Sequence, residues 1–327
     1  MKQKRLTFLL LLISNLFCAS AQKWYKPEID LKVEELLSQM TVEEKLGYIG
    51  GIDWMYTKSI DRLGIHRMRM SDGPQGIGTK GKSTAYPATV TLAATWNENL
   101  AYQYGKALGR DCRARNINVI LGPAVNIYRA PMCGRNFEYM GEDPYLTSRI
   151  CVGYIKGVQD QGVMATVKHF VANNSDYDRN NISNDIDERT LNEIYFPAYK
   201  AAIQEAEVGA IMTSYNLMNG IYTTENPWLL KEVLRNQWGF KGLVMSDWGS
   251  THYCVPAARS GLDLEMAGGE KMNPKDMAYY LKTGDVTMDM VDEKVRHILR
   301  ILIAFGFKDG TEADKSICLL YTSDAAD

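Results

Sequence analysis

The sequence predicts an α/β protein, a (β/α)8 TIM-barrel-like domain, on three observations. Short apolar runs that end in polar residues recur along the chain, and amphipathic helical segments separate them. Setting an export leader aside leaves roughly 300 residues, a length that suits one barrel of alternating strands and helices.

The leader is read from Met1 to Ala21: Lys2, Lys4 and Arg5, then the apolar run Leu6 to Phe17, then Ala19-Ser20-Ala21. A charged start, a short apolar centre and small residues before the cleavage point are the three parts of a signal peptide, and the centre is short for a bilayer span. Residues 1–21 are therefore expected to be removed and the mature chain to be exported, periplasmic or secreted, with no membrane partner beyond the signal. A formal charge of −2, with acidic and basic residues well mixed, offers no field for nucleic acid. Of the six cysteines, Cys112, Cys133, Cys151, Cys254 and Cys318 lie outside the leader at spacings that match neither a metal site nor a disulfide framework.

After the leader, Asp30 to Met40 and Thr41 to Tyr48 read as two short helices, the second opened by the capping box Thr41-x-x-Glu44. Candidate strands follow at Met68 to Ser71, Val90 to Ala94, Ile117 to Leu121, Met164 to His169, Ala210 to Tyr215, Gly242 to Asp247 and Leu262 to Met266. Helices between them include Tyr145 to Asp160, Glu188 to Glu205 and Trp228 to Trp238; the last has Asn226 as cap, Pro227 in the first turn and Gly239 past its end. Met288 to Phe305 closes the series, with Val291, Val295, Ile298 and Leu302 on one face. An open doubly wound sheet is the alternative to a closed barrel. It would be expected to carry a glycine-rich nucleotide turn, and neither a dinucleotide fingerprint nor a phosphate loop with its lysine is present, so no cofactor is expected.

Functional candidates gather at the ends of the strands, where a parallel barrel places its chemistry. Asp72 ends the first strand in Ser71-Asp72-Gly73-Pro74, and Arg135 lies on the loop after the third in Gly134-Arg135-Asn136-Phe137-Glu138. Lys168 and His169 close the fourth, Tyr215 the fifth, and Asp247 with Trp248 the sixth. Singly each has a plain structural explanation, as a turn, an ion pair or a cap. Together they place several charged groups around one mouth, which favours a polyhydroxylated ligand whose hydroxyls both donate and accept. A zinc site built on Asp72, His169 and Asp247 is disfavoured: the chain has four histidines, no paired-histidine spacing, and Lys168 and Arg135 would crowd a cation. No metal is expected.

Five segments in order carry a resemblance: Met68-Arg69-Met70-Ser71-Asp72-Gly73-Pro74, Gly134-Arg135-Asn136-Phe137-Glu138-Tyr139-Met140-Gly141-Glu142-Asp143-Pro144, Lys168-His169-Phe170-Val171-Ala172-Asn173-Asn174, Met212-Thr213-Ser214-Tyr215-Asn216 and Ser246-Asp247-Trp248. With them the chain resembles the glycoside hydrolase family 3 β-glucosidases from Leu31 to Lys308. The resemblance implies that Asp247 is the nucleophile and that Asp72, Arg135, Lys168, His169, Arg179 and Tyr215 line the pocket for a terminal sugar, with Trp248 stacking beside it. It implies an exo-acting retaining enzyme on a β-glucoside or oligosaccharide, with β-xylosidase or another exo-glycosidase activity equally compatible with the motifs. A sugar-binding barrel without catalysis would use the same pocket. Retaining chemistry needs an ionised carboxylate and a protonated group about 5 Å apart. Arg135, Lys168 or Arg179 are expected to lower the pKa of Asp247. In the related enzymes the acid/base is a glutamate on a second α/β domain, and this chain is expected to stop before that domain, with 22–310 as the barrel. Residues 311–327 show no family pattern and are expected to lie outside the fold.

Overall fold

A computed structural model describes residues 24–78 and 83–317. The expected leader lies outside these residues. Five parallel strands form the central sheet: β1 (Met70–Asp72), β2 (Val119–Leu121), β3 (Met164–Phe170), β5 (Ala210–Thr213) and β8 (Leu243–Met245), paired in that order. Registers such as Met70 with Val119 and Ala210 with Leu243 set every strand running the same way, so all their C-terminal ends meet at one mouth. β2, β3, β5 and β8 are buried along their whole length, as a helix-covered parallel sheet requires, and β1 is buried up to Asp72 at its end.

Short arms complete the ring. Met245 bridges Leu264 and Glu265 bridges Gly50, both parallel; the chain then turns back, and Tyr56 meets Arg69 antiparallel. The expected strand Leu262 to Met266 is present only as this bridged arm. The expected strand Val90 to Ala94 is a helix instead, Thr89–Ala93. Its apolar run carries Leu92 and Ala93 to the core, and the Thr89 hydroxyl is taken up by the Glu138 carbonyl rather than by a ladder partner. A run of five apolar or β-branched residues does not by itself distinguish the two states.

The helices follow their sequence signals more closely. In Val42–Tyr48 both halves of the Thr41/Glu44 capping box are made. Asn226 accepts from the Leu229 amide at the start of Trp228–Gln237, which is wound as a π-helix. Glu188 to Glu205 is broken into three pieces, with Pro197 opening the last. In Met288–Ala304, Val291, Val295, Ile298 and Leu302 are all fully buried against the barrel. A second, small sheet of β4 (Ser183–Asn184), β6 (Leu217–Met218) and β7 (Ile221–Tyr222) sits beyond the ends of β3 and β5. Its hairpin turns on Asn219-Gly220, both with positive φ, the pair that a two-residue turn of this hand prefers.

Residues 311–317, expected outside the fold, contact it. Thr311 bonds Asn116 at 2.6 Å and Asn118 at 2.7 Å, and the Asp314 amide donates to the Arg113 carbonyl. No disulfide joins the described cysteines; Cys112 and Cys151 are buried in the core. No described helix is long and apolar enough to cross a membrane.

One buried charge stands out on the closing helix. Lys294 is 2% exposed, its ammonium donates to the Leu262 carbonyl at 2.5 Å, and burial brings its pKa down to about 8. A pKa held below the unfolded value of about 10.4 means that the fold disfavours the charged form. The penalty is present in full at pH 7 and is relieved as pH rises from 8 towards 10. Lys294→Met is therefore expected to raise stability at pH 7 by roughly 1–3 kcal/mol, an advantage that shrinks by pH 10. Urea midpoints at the two pH values check this; a less stable variant at pH 7 would show that the ammonium's bond outweighs its desolvation.

Candidate active site

The mouth of the barrel holds a cavity of about 260 Å³ lined by Trp54, Met55, Asp72, Leu121, Arg135, Lys168, Arg179, Met212, Tyr215, Asp247 and Trp248. Seven of the eight residues singled out in the sequence lie on this one wall. The eighth, His169, is fully buried behind it.

Local structure explains each placement. Asp72 closes β1, and Gly73 takes φ 131°, where a side chain would collide with the Gly76 carbonyl at 1.5 Å, so the chain turns sharply and leaves the carboxylate at the rim. Lys168, near the end of β3 and 3% exposed, bonds Asp72 at 2.9 Å and stands 4.0 Å from Glu138. Arg135 pairs with Glu138 across a short turn closed by the Glu138 amide on the Arg135 carbonyl. The small sheet brings 182–184 alongside 217–218, which sets the Arg179 guanidinium 4.2 Å over the Tyr215 ring. Asp176 holds Arg179 from its far side at 3.2 Å.

Asp247 stands two residues past the end of β8. Its Oδ1 accepts from the Trp248 amide at 2.7 Å, whereas Oδ2 is buried and has no hydrogen-bond partner. Burial raises the Asp247 pKa above the ordinary value; Lys168, Arg135, the Trp248 amide and the Tyr215 hydroxyl pull it back without reversing the shift. This corrects the sequence expectation of a net lowering. The cations are at hand but already engaged, Lys168 with Asp72 and Arg135 with Glu138, so burial wins. Burial likewise drives the Tyr215 phenol upward, with Asp247 adding to it, and the hydroxyl stays protonated beside the carboxylate.

His169 is held from three directions by Asn126, whose side chain accepts from the His169 amide at 3.0 Å, meets Nδ1 at 3.2 Å and donates to the His169 carbonyl at 2.9 Å. Burial and then Arg135, Lys168 and Arg179 keep the imidazole well below its usual pKa, so it is neutral. With Nδ1–H donating to Asn126, Nε2 accepts from Arg135 at 2.8 Å. Its 3.5 Å approach to Asp247 is then a neutral ring beside a carboxylate, not an ion pair. His169 orients Arg135 rather than touching the cavity.

Sequence reasoning passed over Trp54 and Met55. They sit on a tight turn closed by Ile52 and Tyr56, and the Trp54 carbonyl accepts from the Trp248 indole at 2.8 Å. Periodicity could not find a segment this short; a Gly-Gly-Ile-Asp-Trp turn ahead of the first strand was the available signal. Among the described residues no cluster of His, Cys, Asp and Glu could hold a metal ion.

A parallel barrel with paired cations, a partly uncommitted carboxylate and aromatic rims at its C-terminal mouth belongs to the class of α/β barrels built around a small, polar, pyranose-sized pocket. The chain belongs to the glycosyl hydrolase family 3 N terminal domain family, which matches residues 41–301. It is similar to a beta-glucosidase of Rhizobium radiobacter, 44% identical over 280 residues that cover 84% of this chain and 34% of that protein. A thermostable beta-glucosidase B of Acetivibrio thermocellus is 41% identical over 282 residues, 83% of this chain and 37% of that one. Among solved structures, beta-glucosidase 3B of Thermotoga neapolitana in complex with alpha-D-glucose superposes with a TM-score of 0.82 at 36% identity, covering 87% of this chain and 45% of that one. The chain thus spans little more than a third of the length of the curated relatives it matches.

Proposed function

We propose that this chain carries the sugar pocket and the nucleophile of an exported, exo-acting retaining β-glucosidase. The observation that carries the reading is Asp247: one carboxylate oxygen is fixed by the Trp248 amide and the other is left without a partner beside a hydroxyl and two cations. In the first step an Asp247 oxygen bonds the anomeric carbon as the bond from that carbon to the leaving oxygen breaks; water then cleaves the ester and restores the carboxylate. Asp72, Lys168, Arg135 and Arg179 address the ring hydroxyls, and such contacts supply binding energy realised in the transition state. The similarity to named beta-glucosidases supports glucose as the terminal sugar.

A protonated carboxyl for the leaving oxygen is not among the described lining residues. The only other carboxyl there is Asp72: its recessed place at the rim raises its pKa somewhat, but Lys168, the Gly73 amide and Arg135 bring it net below its usual value. We place the acid outside the described lining of this cavity. A leaving group that needs no proton then separates the two steps. With 2,4-dinitrophenyl β-glucoside the chain is expected to release phenolate in a burst and to carry one glucosyl unit on Asp247 by mass spectrometry. Preference for the β-xyloside would move the reading to a xylosidase, and glucose binding without any adduct would move it to a sugar-binding barrel.

A further inference from the structure

A second cavity, of about 620 Å³, opens on the other side of Asp72 and Arg135, the two residues it shares with the sugar pocket. Its wall is built and not merely open surface. The floor is the glycine turn after β1, packed backbone to backbone on the far side of the loop: a side chain at Gly76 would lie 2.5 Å from the Thr84 carbonyl. The turn is pinned from below at Pro74, whose carbonyl accepts from Tyr154 at 3.0 Å and Tyr104 at 3.3 Å, and from the side where the Tyr86 amide donates to Gln75. Gln75 in turn donates to the Phe137 carbonyl at 3.1 Å, and the Phe137 ring stands 55% exposed at the wall. Ser83 and Thr84 stand at its edge, with the Ser83 hydroxyl oxygen itself buried. Asp72 divides the two spaces with one oxygen committed to Lys168 and the Gly73 amide, its side chain 59% exposed.

We propose that this compartment receives a second sugar ring carried by the terminal glucose, so that the pocket accepts a substituted non-reducing end and releases it as an intact disaccharide. Resting on the glucosidase reading, the proposal fixes its substrate class. If Asp247 takes the anomeric carbon, the carbons remote from it face Asp72, and a substituent there passes beside a partly exposed carboxylate into a space with an aromatic face and polar edges, the lining that sugars select.

The test uses the full chain and two dinitrophenyl 2-deoxy-2-fluoro-glycosides, one of β-glucose and one of β-glucose bearing a second glucose at C6. Attack by Asp247 forms the ester, expels phenolate and leaves an adduct whose mass counts the rings. Adducts of one and of two hexoses respectively are expected, formed at rates within about tenfold of each other. Phe137→Ala is expected to slow only the two-ring adduct, by about tenfold, the effect of one lost stacking contact; Phe137→Tyr restores it. A one-ring adduct without the two-ring one overturns this inference and leaves the glucosidase reading standing. Equal slowing of both by Phe137→Ala also overturns it. If neither adduct forms while glucose still binds, the nucleophile assignment has failed, and the second compartment fails with it.

Discussion

Asp247→Asn is expected to abolish phenolate release from an aryl β-glucoside by roughly four orders of magnitude or more, because the bond to the anomeric carbon has no other atom to form on. The side chain keeps its shape and can still take the Trp248 amide on an oxygen, so the cavity persists and glucose binding should change little. Stability should not fall. The carboxyl is raised above its ordinary value by burial, which means that the folded state favours the neutral form and that ionisation costs stability as pH rises past the unfolded value of about 3.9. Asparagine removes that cost, so the melting temperature at pH 7 should equal or exceed that of the unaltered chain. The raised pKa also sets the acid limb: burst rates should fall as pH drops through the folded pKa of Asp247. Unchanged turnover in the asparagine variant would remove Asp247 from the chemistry, and lost activity with a lower melting temperature would leave the role undecided between fold and catalysis until the adduct is sought directly.

How far the sequence disclosed this site depends on the element that carries each residue. Asp72, Lys168, Tyr215 and Asp247 terminate or follow apolar runs, and a parallel sheet carries such residues to one mouth whatever the loops do. Arg135 and Arg179 sit on loops, where no periodicity speaks; Arg135 is placed by the loop that follows the third strand, and Arg179 by the resemblance alone. His169 is adjacent to Lys168, and successive strand residues face opposite ways; one therefore reaches the cavity and the other sits behind it. Val90 to Ala94 deceived for the opposite reason. Val90 and Thr91 favour strand, but Leu92 and Ala93 are needed on the core, and a helix delivers them. The closing arms at 49–57 and 262–266 pair through single bridges, too brief for an alternating pattern to develop.

A larger stability effect is expected at the opposite end of β8. Asp263 is 1% exposed, with Oδ2 accepting from Arg235 at 2.6 Å and from the Val244 amide at 2.8 Å, and Oδ1 meeting His297 Nδ1 at 2.8 Å. Arg235 also donates to the Phe240 and Gly242 carbonyls. One carboxylate thus ties the helix Trp228–Gln237, the first residues of β8, the arm at 262–266 and the closing helix together. Asp263→Ala leaves a buried guanidinium without its counter-charge and the Val244 amide without an acceptor, and is expected to destabilise the chain by about 3–5 kcal/mol. Asp263→Asn, which keeps a neutral acceptor, should cost less. Burial pushes the Asp263 pKa up, but His297 and Arg235 bring it net below its ordinary value, so its contribution is present above the unfolded pKa of about 3.9 and lost as pH falls through the lower folded one. His297 is lowered as well, chiefly by burial and by Arg235. The unfolded chain therefore takes up its proton first, and stability should begin to decline below about pH 6.5, well before the carboxylate titrates. Urea unfolding from pH 4 to 8 reads both signs. An Asp263→Ala midpoint within 1 kcal/mol of the unaltered chain at pH 7 would mean that water enters and satisfies Arg235. Because Val244 lies in β8 three residues before Asp247, which stands just past the end of that short strand, the loss of this anchor should also blur the pocket: glucose affinity is expected to fall in Asp263→Ala and to be kept in Lys294→Met, which changes the same buried layer without releasing β8.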